Sequence, residues 1–396
     1  MFYTNSVPRT YYLLQATFLA IPAGLRVIFI GLFSHHLVAA PGIGAGAVIF
    51  FQEAGTCLAL VVFSSRAPYL PWRVIIIRTG YALFSLFAAC CLYARLGFGA
   101  MHVYGIAALT SAAFALMLPA TVRGAYDYVS ASQSSTSDVT RIVVVTDAIV
   151  QLSVPTAIGY LLIQSGVAVV FGLLAALLLA VLMNLPPSTT TAASPLPQSR
   201  HERGSRKYWS KHLAVLVAIS ALEHFLVAAF FAAFANRAVG AGWAAAEIGI
   251  ATSLVYIGTA LSMIAPVPRS SSVRWTIYLL SVAGLPALIR LALWNINPAD
   301  KFSQYALLLV FGACIGLEHL IFGVLRFDLV KREHATALQQ DLMFGSSFAA
   351  MLGAALGGIG IGLVNVEMAF PLVAAVGLIG LLLATMALIM ICLTKR

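Results

Sequence analysis

Apolar stretches of about twenty residues each make up most of the sequence, and one long polar segment interrupts them. Twelve such stretches can be drawn, six on each side of residues 184–212. A bilayer core of roughly 30 Å needs about twenty residues of helix at 1.5 Å per residue. Only helices and closed barrels satisfy every backbone polar group in lipid, and these stretches are longer than barrel strands. The sequence therefore predicts an all-α integral membrane protein.

The predicted membrane spans, numbered 1 to 12, are residues 11–34, 42–63, 73–94, 100–122, 142–163, 166–184, 213–235, 243–265, 274–294, 304–325, 338–363 and 369–391. They divide the chain into an N-terminal six-helix half (1–183), a linker (184–212) and a C-terminal six-helix half (213–396). Hydrophobic residues make up 61% of the chain and charged residues 9%, whereas soluble domains carry about a quarter charged residues. This composition excludes a water-soluble globule.

Positive charges crowd one set of connecting segments, which includes both termini and the linker. The opposite set holds only Arg95, Arg237 and Lys301. Because positively charged segments stay in the cytoplasm, both termini and the linker are predicted to be cytoplasmic, and a bacterial inner membrane is the expected location. The formal net charge of +10 follows from this topology, so no nucleic acid partner is expected. The basic end of the linker is expected to contact anionic membrane lipid.

The two halves share one spacing of polar and small residues. Asp147 and Gly159 in span 5 are 12 residues apart, and so are Asp341 and Gly353 in span 11. Such a pattern is typical of an internal repeat that relates the halves of a transporter.

The layout of two six-span halves with a long cytoplasmic segment between them resembles the major facilitator superfamily over the full chain. Pro155 and Gly159 in span 5 are similar to part of that family's antiporter signature, whereas residues 64–73 keep the expected basic residues without their acidic partner. The resemblance implies a central cavity lined by spans 1, 4, 7 and 10, and transport by alternating access. It implies no cofactor and no enzymatic activity.

Charged side chains within the spans are the strongest indication of a functional site. A charge at the bilayer centre costs about 2.5–3.5 kcal/mol on insertion scales, so it persists mainly where it is paired or lines a wet cavity. Arg290 is expected to reach the headgroups by snorkelling, and Glu247 to lie near the membrane surface, so both are interpreted as structural. The other ionisable residues in the spans are Arg26, Glu53, Asp147, Glu223, His224, Glu318, His319 and Asp341.

A Leu-Glu-His triplet occurs in span 7, ending at His224, and again in span 10, ending at His319. Counting helical rise from the cytoplasmic ends puts Glu223 and Glu318 at similar depths near the midplane. The cavity-lining role implied for spans 1, 7 and 10 would bring Arg26 to the same site. Neighbouring residues on a helix point about 100° apart, so the glutamates are assigned to the cavity and the histidines are left beside them.

Three interpretations of these groups remain open. A carboxylate in a low-dielectric cavity can load and release a proton as the cavity changes sides. Two carboxylates with two imidazoles could instead hold a metal or a metal chelate, with His224 and His319 as the metal-binding residues. Arg26 could also simply neutralise one glutamate and fix the halves together.

These observations predict a proton-coupled secondary active transporter for a small organic solute, with export favoured over uptake. The partners are then the solute, protons and lipid, and the chain is expected to be a monomer. Alternatives are an uptake permease, a metal-chelate transporter or, in a different class, an intramembrane lipid-modifying enzyme. The last lacks support because the sequence has no HExxH, GxSxG or phosphate-loop motif. The predicted substrate site is Arg26, Glu223 and Glu318; the predicted proton-coupling acids are Glu53, Asp147, Glu223, Glu318 and Asp341.

Overall fold

The computed structural model describes residues 17, 20, 21, 24, 25, 27–29, 44–63, 71–132, 136–185, 210–262, 265, 270–329, 335–363 and 366–393. Within those residues every regular element is a helix. Predicted span 1 is described only in part, and the side chains of Arg26 and Asp147 lie outside the described residues.

The helices follow the predicted spans closely. They are α1 (Gly44–Phe63), α2 (Trp72–Tyr93), α3 (Ala100–Ser132), α4 (Thr136–Met183), α5 (Lys211–Gly240), α6 (Ala245–Ser262), α7 (Ser271–Leu279), α8 (Leu285–Asn295), α9 (Lys301–Leu329), α10 (Ala335–Leu363) and α11 (Val366–Leu393). A 3₁₀ turn at Ala94–Leu96 follows α2, and a π turn at Leu280–Gly284 joins α7 to α8.

Six stretches among the described residues are long and apolar enough to cross a membrane, and four shorter apolar helices accompany them. The six are Trp72–Leu96, Ala100–Met117, Ser153–Met183, Leu213–Gly240, Ser272–Asn295 and Lys301–Phe322. The described part of the chain is therefore all-helical, and the chain is a multi-pass membrane protein.

One glycine separates the two predicted spans that α4 contains. Gly166 has φ 76° and ψ 174°, which is not a helical conformation. Two helices therefore meet at a kink at this residue. This region of backbone space is accessible almost only to glycine. The break falls at the start of predicted span 6, and residue 166 is therefore the corner between spans 5 and 6.

Close helix pairs depend on glycines that face neighbouring backbones. A Cβ added to Gly55 in α1 would overlap the carbonyl oxygen of Ala108 in α3. Gly258 in α6 and Gly312 in α9 face each other's helix in the same way. Small residues let helix axes approach in this manner, and van der Waals packing then holds them in lipid.

Helices from the beginning and the end of the chain also meet. α1 packs along α10 and reaches α5, and α4 packs along α6. At the second of these contacts, which we call the α4–α6 seam, the hydroxyls of Thr156 and Ser253 form a hydrogen bond of 2.7 Å. A Cβ on Gly249 would lie 2.8 Å from the carbonyl oxygen of Pro155, so the two helices touch through their backbones.

A polar cluster that we call the 237–305 rim ties together the ends of α5, α6, α8 and α9. The Arg237 guanidinium donates to the carbonyl oxygens of Leu293, Trp294 and Ile296, the last two at 3.1 and 2.8 Å. These carbonyls lie at the C-terminus of α8, where four acceptors lack intrahelical partners and the helix dipole favours a cation.

The rim continues on the α6 and α9 side. The Glu247 carboxylate caps α6 by accepting from the Ala244 N–H at 2.8 Å and pairs with Lys301 at 2.5 Å. The Trp243 indole N–H donates to the Pro298 carbonyl at 2.9 Å, and the Tyr305 hydroxyl donates to the Glu247 carbonyl at 3.3 Å. Asp300 begins α9 as its N-cap, and the hydrogen bonds from Ser303 lower the pKa of this exposed carboxyl. Glu247 thus has the structural role that the sequence predicted.

Candidate functional site

Two Glu-His pairs come together between α5 and α9. Glu223 and His224 lie midway along α5, which begins at the Ser210 N-cap, whose hydroxyl accepts from the Leu213 N–H at 3.1 Å. Glu318 and His319 lie on α9. Glu223 interacts electrostatically with His224 and His319, and Glu318 with Glu223 and His224. The four groups form one site, which we call the Glu-His cluster, and this brings together the two triplets found in the sequence.

Each imidazole lies against the carboxylate that precedes it in the chain. His224 Nδ1 is 3.0 Å from Glu223 Oε2 and 2.8 Å from the carbonyl oxygen of Ser220. A carbonyl only accepts hydrogen bonds, so this contact places a hydrogen on Nδ1 and leaves Nε2 to take a proton. His319 Nε2 is 3.3 Å from Glu318 Oε2. Each imidazole is thus the immediate neighbour of a carboxylate, and Oε2 of Glu318 has no hydrogen-bond partner among the described residues.

The imidazoles, and not the carboxylates, carry the accessible surface of the cluster. The side chains of His224 and His319 are 37% and 47% exposed, whereas those of Glu223 and Glu318 are 7% and 1% exposed. This order of exposure is opposite to the assignment made from the sequence, which placed the glutamates at the cavity.

Among the described residues, Arg290 interacts electrostatically with the cluster through Glu223. It is 1% exposed and lies in α8 with its guanidinium carbon 5.7 Å from the Phe230 ring centroid and 5.2 Å from that of Phe311. Its electrostatic partners are Glu223 and the Cys314 thiol. The expectation that Arg290 snorkels to the headgroups is therefore wrong, because the side chain points between helices and stacks on aromatic faces.

The sequence did contain a signal for this position. Pro286, Ile289, Arg290 and Leu293 are the buried face of α8, together with Ala287. Their spacing of three, four and seven residues is that of a single helical stripe. An arginine on an otherwise apolar, inward-facing stripe indicates a buried charge, although its partner on α5 could not be identified from α8 alone.

Several polar atoms around the cluster lack hydrogen-bond partners within the described part of the chain. They are Nε and Nη1 of Arg290, the Tyr278 hydroxyl and Oε2 of Glu318. Tyr278 lies on α7, stacks on Phe322 and interacts electrostatically with both glutamates. Buried polar groups are nearly always satisfied, so these unpartnered donors and this unpartnered acceptor indicate a site that binds a ligand or rearranges.

The other predicted site residues are not part of this cluster or cannot be assigned to it. Glu53 in α1 is half-buried and interacts electrostatically with the Cys57 thiol. Asp341 in α10 is exposed. Neither is among the groups that act on Glu223 or Glu318. Arg26 and Asp147, whose side chains lie outside the described residues, stay predictions.

The described residues offer no preformed metal site. Among them no three or more histidine, cysteine, aspartate or glutamate side chains are arranged to hold a metal ion. The cluster does place two imidazoles and two carboxylates in one region, but they pair within each helix and do not converge on a common point.

No known protein family matches the sequence, and no curated protein matches it either. Solved structures do match in fold. A mutant form of the nucleoside transporter NupG superposes with a TM-score of 0.67 at 14% identity, covering 96% of this chain and 99% of NupG. A bacterial homologue of the iron transporter ferroportin, in an inward-facing state, gives 0.61 at 16% identity, with 97% and 99% covered.

A further structure, of a bacterial metal transporter, gives a TM-score of 0.55 at 16% identity over 97% of this chain and 99% of that one. These similarities span nearly the whole length of each chain. They show that the chain has the same fold as these transporters, as the predicted resemblance implies. The named structures are all transporters.

Proposed function

We propose that this protein is a proton-coupled secondary transporter of a small polar organic solute. The observation that carries the proposal is the Glu-His cluster, in which two buried carboxylates are reached from accessible surface through imidazoles, inside a transporter fold. A carboxylate that is buried and then exposed changes its proton affinity with its surroundings. The cluster can therefore take up a proton in one conformation and release it in another.

The proposal includes the division predicted from the sequence, with halves at 1–183 and 213–396 and the linker 184–212 between them. The packing of α1 on α10 and of α4 on α6 supports it, because each contact joins helices from opposite halves. Alternating access would then consist of relative movement along these two contacts. Both termini are proposed to be cytoplasmic, and the protein is proposed to act as a monomer in a bacterial inner membrane.

Export is the proposed direction, supported by the location of Pro155 and Gly159. These two residues of the antiporter-like signature lie at the α4–α6 seam, where a Cβ on Gly249 would contact both. The solute is proposed to lie near Glu223, Glu318 and Arg26. An organic solute is preferred over a metal cation because the described residues hold no group suited to a metal.

Proteoliposomes containing the purified protein and a trapped pH-sensitive dye would test the proposal. An imposed gradient of labelled uridine or of Fe²⁺, each added separately, should move protons only for a transported solute. Glu223→Gln and Glu318→Gln should each abolish the proton signal. Glu247→Gln removes an acid that lies in the 237–305 rim and should leave the signal unchanged.

The comparison has clear opposing outcomes. Solute flux that is independent of pH, or proton movement that persists in both cluster variants, would contradict coupling through these carboxylates. Movement of Fe²⁺ without uridine would replace the organic solute by a metal cargo. Accumulation by right-side-out vesicles alone would replace export by uptake.

A further inference from the structure

We propose that the hydroxyl pair of Thr156 and Ser253 is a latch that holds the two halves of the chain together at the α4–α6 seam and releases when the seam parts. The movement of the halves rests on the proposed function. The latch itself stands on contacts at the seam.

The latch is a direct bond between helices that lie on opposite sides of the linker. Thr156 belongs to α4 and Ser253 to α6, and their hydroxyl oxygens are 2.7 Å apart. Ser253 is 4% exposed, whereas Thr156 is exposed, so the bond lies at the edge of the seam and can break without unpacking a core. A hydrogen bond between two neutral groups changes an equilibrium by on the order of two- to tenfold. This is a reversible closure.

A backbone contact beside the hydroxyl pair sets the distance between the helices. Gly249 precedes Ser253 by one helical turn, so the two residues share a face of α6. A Cβ added to Gly249 would lie 2.8 Å from the carbonyl oxygen of Pro155 and 3.7 Å from Cα of Gly159. Pro155 is next to Thr156 in the chain. The glycine therefore lets α4 and α6 approach at the point where the two short hydroxyl side chains meet.

The latch lies toward the 237–305 rim. α6 begins at Ala245 within that rim, and Gly249 and Ser253 follow about one and two helical turns later. In the proposed orientation the rim faces the outside. Release of the latch would then open the seam toward the outer surface, which is the movement that export of a solute requires.

Each hydroxyl has a second acceptor on its own helix, so the pair can part without leaving a polar group unsatisfied. Serine and threonine side chains in helices often donate to the carbonyl four residues earlier. Ser153 on α4 and Thr252 on α6 do so here, at 2.7 and 2.9 Å. The same local bond is open to Thr156 and Ser253. A hydroxyl that exchanges one acceptor for another suits a bond that forms and breaks repeatedly.

The second contact between the halves includes packing of a different kind. Ile49 and Phe50 of α1 pack against Ala228 of α5 and against Ala350 and Ala354 of α10. Apolar packing has no preferred direction, so such surfaces can slide in small steps. A hydrogen bond is lost within about 1 Å of separation. The hydroxyl pair therefore distinguishes a closed seam from an open one more sharply.

Amide hydrogen exchange of the purified full-length protein in detergent would test the latch without any solute. Mass spectrometry would follow peptides that cover residues 149–160 and 245–258, the two sides of the seam. Thr156→Val and Ser253→Ala each remove one hydroxyl and nearly conserve size. Because exchange follows the population of the open form when closing is fast, each variant should speed exchange at the seam by on the order of two- to tenfold.

Three control variants separate the latch from a general effect of substitution. Thr252→Val and Ser153→Ala remove hydroxyls that bond within their own helices, so exchange at the seam should match wild type. Thr156→Ser keeps the hydroxyl and should also match wild type. Equal acceleration in the controls, or unchanged exchange in both latch variants, would overturn the proposal. Acceleration that peptides of the 237–305 rim share to the same degree would also overturn it, because the whole protein would then have loosened.

Two further variants test the pairing and the close approach. The double variant Thr156→Val with Ser253→Ala loses the same single bond, so its exchange should be no faster than that of the faster single variant; effects that multiply would mean that the hydroxyls act separately. Gly249→Ala pushes α4 away at Pro155 and should speed exchange in the same peptides, and a wild-type rate would count against the latch. Proteoliposome flux reports on transport separately, so the latch and the proposed function can fail independently.

Discussion

Replacing Gly312 by alanine should loosen the contact between α6 and α9. A Cβ at this position would overlap the carbonyl oxygen of Val255 and lie 2.6 and 2.8 Å from the carbonyl carbon and Cα of the same residue. All three atoms are backbone, so no side-chain rotation can relieve the overlap. The two helices must therefore move apart by roughly 1.5 Å to reach ordinary van der Waals distances.

The cost of this separation has two parts. Overpacking of a tight interior costs about 1–3 kcal/mol. Separation also weakens the buried hydrogen bond from the Thr259 hydroxyl to the Gly312 carbonyl, 3.0 Å long, which contributes about 0.5–1.5 kcal/mol. Alanine's better helix propensity returns about 1 kcal/mol or less. A net destabilisation of about 1–3 kcal/mol is expected from these terms.

Gly345→Ala is the matched control, because Gly345 is also within a helix and a Cβ there would meet nothing within 4 Å. Thermal unfolding of both variants in one detergent, followed by helical circular dichroism, would measure the difference. Gly312→Ala should unfold at a lower temperature than wild type, and Gly345→Ala at the same temperature or above. Equal midpoints for the two variants would refute the steric argument.

Three further predictions concern the rim, the orientation and the first span. Arg237→Met should lower the free energy of unfolding by about 2 kcal/mol, because it removes charged hydrogen bonds to three carbonyls at the end of α8. Arg95→Met, which removes an exposed arginine, is the control. Equal unfolding temperatures of the two variants would contradict the capping role. A cysteine introduced by Ser199→Cys should react with an impermeant thiol reagent only from the cytoplasmic side, and labelling of intact cells would reverse the orientation. Arg26→Lys should impair transport, since a point charge does not replace the planar guanidinium, and Arg26→Ala should impair it more; normal flux in Arg26→Ala would remove Arg26 from the substrate site.

The helices and the pairing of the two triplets were accessible from the sequence. Hydropathy alone located the membrane segments, because a bilayer imposes a length and an apolarity that few other structures need. Depth counting placed Glu223 and Glu318 near one level, and the structure brings both into one cluster. The depth of a residue in the membrane follows from its position along a helix, and that position can be counted directly in the sequence.

Rotation about the helix axis was the quantity that the sequence did not determine. Which member of a Glu-His pair is buried depends on the neighbours that surround α5 and α9, and these come from distant parts of the chain. The same limit applied to Arg290, whose distance from the span end suggested a route to the headgroups. Its aromatic neighbours Phe230 and Phe311 belong to α5 and α9, so only the assembled bundle shows that the side chain turns inward.

The 237–305 rim and the α4–α6 seam differ in the polar bonds that must break for the helices to separate. Parting the rim would break the Lys301 ion pair and the bonds from Arg237 to the end of α8. Parting the seam at its described residues would break the hydroxyl pair of Thr156 and Ser253 and a backbone contact at Gly249. We therefore expect strain applied across the protein to be relieved at the seam and not at the rim. An antibody fragment raised against the rim should then keep its epitope in every conformation that the proposed transport cycle includes, and it would serve as a fixed marker for imaging each one.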